Sequence, residues 1–166
     1  QLSKPSDRLM VINSASKSFN MTGWRIGWIT HPEELGAHIA KLVQITTTGV
    51  PEFLQSGLIS ALQNYIVLTK ELRLSLKKSR DLMFERLVEW KQVECSVPEA
   101  AFYAFFKVKG IRDSLQFAKK LIIDTNVGVA PGIAFGESGE GHLRICFAAK
   151  KSFINEIMDR LEPALN

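Results

Sequence analysis

The sequence predicts an α/β fold that passes into an α+β arrangement in its C-terminal part. Short apolar runs on both sides of a serine-rich turn predict two strands between residues 8 and 30. Helical periodicity follows, and after residue 93 short strands flank a further helix. We therefore expect residues 1–50 to be the C-terminal end of a large domain, and residues 51–166 to be a small C-terminal domain with long connecting helices.

The composition is that of a globular protein. The 166 residues are 46% hydrophobic and 23% charged, which is normal for this class. The net charge is +4, but the basic residues are spread along the helices, so we expect no nucleic-acid partner. No apolar run reaches the roughly 18 residues of a membrane-spanning helix, so we expect no membrane partner.

Cys95 and Cys146 lack metal-ligand spacing, and we expect two reduced thiols in a cytoplasmic protein and no bound metal.

The first half of the chain is expected to place a turn between two strands and then three helices. Residues 8–13 and 25–30 have the composition of strands, the first of them buried. The Ser- and Asn-rich segment 14–22 predicts a turn, because these side chains bond their own backbone. Helices are predicted from His31 to about Gln44, from Glu52 to Tyr65 and from Glu71 to Trp90.

The second half alternates between short strands and helices. Strands are predicted at residues 93–96 and 102–108, a helix at Asp113 to Thr125, and a glycine-rich loop at residues 131–141. Apolar and polar residues then alternate, which predicts a strand with Leu143, Ile145 and Phe147 on one face. The last helix, Lys150 to about Leu161, is expected to bury Phe153, Ile154, Ile157, Met158 and Leu161.

Residues 13–28 concentrate side chains that could hold a phosphorylated carbonyl compound. They read Asn-Ser-Ala-Ser-Lys-Ser-Phe-Asn-Met-Thr-Gly-Trp-Arg-Ile-Gly-Trp. The Lys17 amine can form a Schiff base with a carbonyl group. The hydroxyls of Ser14, Ser16 and Ser18 and the guanidinium of Arg25 can donate hydrogen bonds to a phosphate. The segment therefore predicts a site for a compound that carries both groups.

The pattern Ser-x-Ser-Lys-x-Phe-x-Met-Thr-Gly-Trp-Arg-x-Gly-Trp resembles the cofactor-lysine segment of class I and II aminotransferases. These are fold-type I enzymes of the aspartate aminotransferase superfamily, and they use pyridoxal 5′-phosphate (PLP). The resemblance implies that Lys17 is the catalytic lysine, which forms the Schiff base with PLP and moves a proton in the reaction. It also implies that Ser14 and Arg25 bind the cofactor phosphate.

Arg144 is the candidate substrate-binding residue. Its neighbours Leu143 and Ile145 are apolar, so its charge lies beside a core and needs a partner or a cleft. The stretch His-Leu-Arg-Ile-Cys-Phe-Ala resembles the family segment whose arginine binds the substrate α-carboxylate with two parallel hydrogen bonds. A structural salt bridge is the alternative. The loop from Val129 to Gly136 is similar to a family loop near the substrate, and a purely structural role for it is equally open.

The resemblance covers only the C-terminal part of such an enzyme. Whole family members are far longer, and their other cofactor contacts lie upstream of the lysine, outside this sequence. The family's active site is also shared across a homodimer. We therefore expect the isolated chain to be incomplete, to bind PLP weakly and to transaminate little.

Three functions are open at this point. The first is that of a PLP-dependent aminotransferase, which transfers an amino group between an amino acid and a 2-oxo acid. The second is a PLP-dependent C–S lyase or a related synthase of the same fold, because the cofactor carries the chemistry that these enzymes share. The third is a non-catalytic fragment or interaction domain, against which the intact set Ser14, Lys17, Arg25 and Arg144 argues.

Overall fold

A computed structural model describes residues 8–166, and the chain forms two compact units, Gln1–Leu72 and Arg73–Asn166. The boundary falls inside the long helix α4 (Tyr65–Leu87), whereas the sequence pattern predicts a domain boundary near residue 50. Residues 1–7 of the predicted first domain lie outside the described residues. The assignment of the two parts to a large and a small domain stays a prediction.

The first unit contains a two-stranded hairpin and a series of helices. Its strands β1 (Val11–Ser14) and β2 (Gly27–Thr30) are antiparallel, with Ser14 opposite Gly27. The predicted strands and helices are present, although the third helix begins at Tyr65 and not at Glu71. The remaining elements are the single helical turn α1 (Ala15–Ser18), 3₁₀ turns at Thr22–Trp24 and Glu33–Leu35, and the helices α2 (Gly36–Thr47) and α3 (Glu52–Gln63).

The prediction that the first strand is buried is wrong. Ile12 in β1 is 76% exposed, because the hairpin is a two-stranded sheet and the small core of the unit forms beside it. That core lies between helix α3 and the segment that connects the two strands. It contains Ala15, Met21, Ile26, Leu58 and Ala61.

The second unit packs helices against an antiparallel sheet of four strands in the order β3–β4–β6–β5. Strand β6 is central, and its Arg144 lies opposite Phe105 on one side and Ala130 on the other. The strands are β3 (Val93–Glu94), β4 (Tyr103–Val108), β5 (Ala130–Pro131) and β6 (His142–Cys146), and the helices are the C-terminal part of α4, α5 (Ser114–Thr125) and α6 (Lys151–Leu165).

The alternation along β6 is confirmed. Leu143 and Ile145, together with Phe147 just after the strand, are buried in the core, whereas Arg144 is half-buried and Cys146 is exposed. In α6 the buried stripe is Ile154, Met158, Leu161 and Leu165. Phe153 lies off this stripe and is 54% exposed, so the prediction that it is buried is wrong.

The glycine-rich loop folds back on itself through a backbone contact between Gly132 and Gly139. The loop contains 3₁₀ turns at Gly132–Phe135 and Glu137–Gly139. A Cβ atom on Gly132 would overlap the Gly139 carbonyl oxygen and lie 2.7 Å from that of His142, and one on Gly139 would overlap the Gly132 carbonyl oxygen. Both positions therefore require glycine, and the contact holds Phe135 at the end of the first turn.

Gly132→Ala is expected to destabilise the protein by about 1–3 kcal/mol, because the added methyl group forces two backbone segments apart. The matched control is Gly128→Ala, where a Cβ atom would meet only Ile122 Cδ1, at 3.9 Å. Urea unfolding of the two variants measures the difference. Equal unfolding midpoints for both variants would contradict the backbone contact.

Candidate functional site

Lys17 lies in the single helical turn α1, directly after β1. The Ser14 hydroxyl oxygen caps this turn, because it accepts a hydrogen bond from the Ser16 N–H at 3.1 Å. The Ala15 N–H donates to the Ile26 carbonyl oxygen at 3.1 Å. The start of the turn is thus joined to the residue that follows Arg25, and the Lys17 side chain is exposed.

The hairpin brings Ser14 and Arg25 to the same end of the two-stranded sheet. Ser14 pairs with Gly27, which follows Arg25 by two positions. A Cβ atom on Gly27 would overlap the Asn13 carbonyl oxygen, so the two strands approach too closely for any side chain there. The end of β1 that carries the Ser14 hydroxyl therefore lies beside the segment that carries Arg25.

The backbone of Arg25 is left-handed, with φ 52° and ψ 44°. A non-glycine residue in this region costs about 1–2 kcal/mol, and such strain is concentrated at functional sites. Arg25 Nη1 donates to the Thr22 carbonyl oxygen at 3.1 Å. The other guanidinium donors make no hydrogen bond to any of residues 8–166, and the side chain is exposed.

The donors on this turn fit a phosphorylated carbonyl compound such as PLP. The Ser14 oxygen accepts one hydrogen bond, and its O–H remains able to donate to a phosphate oxygen. The guanidinium of Arg25 offers N–H groups of the kind that bind phosphate in pairs. The amine of Lys17 is the matching nucleophile for an aldehyde carbon. One short hairpin and its turn therefore carry an amine and two phosphate donors of the kinds that such a compound can use.

In the second unit, two aromatic rings flank the guanidinium of Arg144. Its central carbon lies 4.3 Å from the centre of the Tyr103 ring and 4.1 Å from the centre of the Phe135 ring. Both distances are within the range of a cation–π interaction. Within residues 8–166 the guanidinium has no hydrogen-bond or ion-pair partner, so the structural salt bridge considered above is not formed there.

The rings that surround Arg144 belong to a larger aromatic cluster. Phe105 meets the Phe135 ring edge-on, with ring centres 6.0 Å apart and an interplanar angle of 87°. Phe105 also stacks on the His142 imidazole, with ring centres 5.0 Å apart and an interplanar angle of 5°. The cluster therefore joins β4, β6 and the glycine-rich loop around one arginine.

Glu140 joins the glycine-rich loop to the start of α5. One of its carboxylate oxygens accepts hydrogen bonds from the Ser114 N–H at 2.6 Å and from the Gly141 N–H at 2.8 Å. The buried Ser114 hydroxyl in turn accepts from the Ile133 N–H at 3.2 Å. The Gly141 N–H, followed by the backbone and the hydroxyl of Ser114, lowers the pKa of the Glu140 carboxyl from its ordinary value.

The predicted site residues fall in two groups. Ser14, Lys17 and Arg25 come together on the hairpin of the first unit, and Arg144 lies in the sheet of the second. No sequence pattern assigned a role to Tyr103, Phe135 or Glu140, although Phe135 lies in the loop from Val129 to Gly136 that is similar to a family loop. The high aromatic content of residues 102–106 was the available signal for the ring cluster. Glu140 had no comparable signal.

Three further features concern the cysteines, possible metal ligands and possible membrane-spanning helices. Cys95 and Cys146 are free thiols. Among residues 8–166, His, Cys, Asp and Glu side chains do not gather in any group of three or more that could hold a metal ion. In the same part of the chain, none of the helices combines the length and the apolar character needed to cross a bilayer.

The family profile described as aminotransferase class I and II matches residues 1–161. The chain therefore belongs to the class I and II aminotransferase family, whose members use pyridoxal phosphate. The match confirms the family that the segment around Lys17 resembles.

Individual relatives agree with this assignment. The chain is 36% identical to the LL-diaminopimelate aminotransferase of Natranaerobius thermophilus over 162 residues, which are 96% of this chain and 42% of that protein. It is 34% identical to the aspartate aminotransferase of Thermotoga maritima, over 99% of this chain and 42% of that one. The chain thus spans about two fifths of the length of these relatives.

Solved structures show the same fold. The aromatic aminotransferase of Pyrococcus horikoshii matches with a TM-score of 0.84 and 32% identity, over 93% of this chain and 42% of that chain. The aspartate aminotransferase of Thermotoga maritima matches with a TM-score of 0.83 and 32% identity, over 98% and 41%. The predicted fold class, that of part of a fold-type I aminotransferase, is confirmed.

The stability of the protein is expected to depend on pH through Glu140. Because its pKa is lowered in the folded state, its contribution is complete above the ordinary pKa of about 4.3 and is lost as the pH falls through the folded value. Glu140→Gln removes this titration, so stability should fall less steeply below about pH 4.5 in the variant than in the wild type.

Urea unfolding at a series of pH values between 7 and 3 measures this difference. The control is Glu137→Gln in the same loop, since the exposed Glu137 side chain makes no hydrogen bond to any of residues 8–166. If the Glu140→Gln curve runs parallel to the wild-type curve, the carboxylate does not hold the loop.

Proposed function

We propose that this chain supplies the catalytic lysine, the phosphate-binding residues and the carboxylate-binding arginine of a PLP-dependent aminotransferase. The enzyme transfers an amino group between an amino acid and a 2-oxo acid. The observation that carries the proposal is the joint placement of Ser14, Lys17 and Arg25 on one hairpin turn, in a chain whose family match extends over residues 1–161.

The hairpin residues divide the binding of the cofactor among them. Ser14 donates its O–H to the phosphate, and Arg25 donates the N–H groups that Thr22 leaves available. Lys17 would provide the amine that condenses with the PLP aldehyde, with loss of water. Once the substrate amine has displaced it, the neutral Lys17 amine would move the proton. When bound, PLP supplies an electron sink for the carbanion that forms at the substrate Cα.

Arg144 binds the substrate carboxylate in this proposal. Its donors are not engaged within residues 8–166, and a guanidinium can bind a carboxylate with two parallel hydrogen bonds. The similar proteins are named for LL-diaminopimelate, aspartate and aromatic amino acids, so the proposal extends to amino acids and 2-oxo acids as classes. The resemblance to the family supports a homodimer as the form in which the whole enzyme works, and the free thiols of Cys95 and Cys146 support a cytoplasmic location.

Incubation with PLP followed by borohydride reduction and peptide mapping tests the cofactor assignment. We expect a phosphopyridoxyl group on Lys17 in preference to Lys41, an exposed lysine of α2 in the same unit. Ser14→Ala combined with Arg25→Gln should reduce labelling of Lys17 about tenfold at limiting PLP, because two donors to the phosphate are lost.

Pyridoxal, which lacks the phosphate, is the control reagent. Labelling of Lys17 by pyridoxal should be the same in the wild type and in the double variant, since neither donor then has a phosphate to bind. Equal labelling of Lys17 and Lys41 by PLP would contradict the proposal, as would a double variant that reacts with PLP as the wild type does.

A further inference from the structure

Within residues 8–166, the surroundings of Arg144 stabilise its positive charge without neutralising it. An arginine at the centre of a sheet usually pairs with a carboxylate, because a half-buried charge without a partner is costly. Here the partners are the faces of Tyr103 and Phe135, at 4.3 and 4.1 Å. The ring quadrupole attracts the cation but forms none of the strong N–H···O hydrogen bonds that a carboxylate would form.

We propose that Tyr103 and Phe135 are positioning residues, which hold the Arg144 guanidinium ready for the carboxylate of the substrate. The inference rests on the proposed function, because it takes Arg144 as the carboxylate-binding residue. The rings restrict the rotamers of a long side chain before the ligand arrives. The conformational entropy of that side chain is therefore lost when the protein folds and not when the ligand binds.

The loop backbone and the Phe105 ring fix the position of Phe135. The contact between Gly132 and Gly139 closes the loop that carries it, and the Gly136 N–H donates to the Ile133 carbonyl oxygen at 3.1 Å. Phe105 supports the ring edge-on. Phe135 is nevertheless 47% exposed, so its replacement removes a ring from Arg144 without opening the hydrophobic core of the unit.

Phe135→Leu is expected to weaken carboxylate binding at Arg144 about two- to fivefold, the amount that loss of one partly exposed cation–π contact implies. Tyr103→Leu should act in the same direction, because it removes the other ring. Phe135→Tyr should retain wild-type affinity, because it restores an aromatic face. The matched control is Phe153→Leu, since Phe153 is a similarly exposed phenylalanine of the same unit without a ring contact to Arg144.

The measurement is a titration of the ¹⁵N-labelled protein with sodium propionate, followed through the arginine Nε–Hε signals. Sodium chloride at equal ionic strength is the reference, and Arg144→Lys identifies the Arg144 signal by its disappearance. We expect a saturable shift of this signal with propionate, and weaker binding in the two leucine variants. Urea unfolding confirms that each variant is folded.

Two results would overturn the inference, and each bears differently on the proposed function. If propionate binds to the wild type and to both leucine variants with equal affinity, the rings do not position Arg144, while its role as the carboxylate-binding residue stands. If propionate does not shift the wild-type signal, both that role and the positioning fail. The labelling of Lys17 by PLP tests the cofactor assignment independently of either result.

Discussion

The backbone contact between Gly132 and Gly139 is the constraint on which the site in the second unit depends. Two peptide segments approach so closely that neither position has room for a Cβ atom. The loop that results carries Phe135 to the guanidinium of Arg144. Glu140 stabilises the same loop through N–H groups of Ser114 and Gly141. The geometry around the Arg144 side chain therefore depends on the backbone contact between Gly132 and Gly139.

The first unit uses a similar device at its own site. Gly27 lets β2 approach the end of β1, and the hydrogen bond from Ala15 to Ile26 joins the helical turn to the second strand. Arg25 then adopts a left-handed conformation, which is unfavourable for a residue with a side chain. In both units, a glycine at a close backbone contact precedes or follows the charged residue that is proposed to bind an anion.

The sequence predicted those features that depend on local pattern or on a long contiguous motif. Alternation identified the buried face of β6, and the segment around Lys17 identified the family. The burial of β1 was predicted wrongly. An apolar run makes a strand suitable for burial, but it does not show that another element packs over the strand. Phe153 was misplaced because helical spacing allows a wider stripe than α6 buries. The contacts of Arg144 join residues 103, 135 and 144, and no local pattern encodes such distances.

The difference between a structural and a ligand-binding arginine lies in how its charge is compensated. Arg86 is a structural arginine, because its guanidinium donates hydrogen bonds to the carboxylates of Asp159 and Glu162 within the protein. Arg144, which we propose to bind a ligand, is compensated within residues 8–166 by two rings. The rings lower the energy of the cation and leave its hydrogen-bonding capacity for another group. A carboxylate that enters such a site gains two charge-assisted hydrogen bonds without displacing a protein partner. Aromatic compensation therefore favours binding in a way that a second ion pair would not.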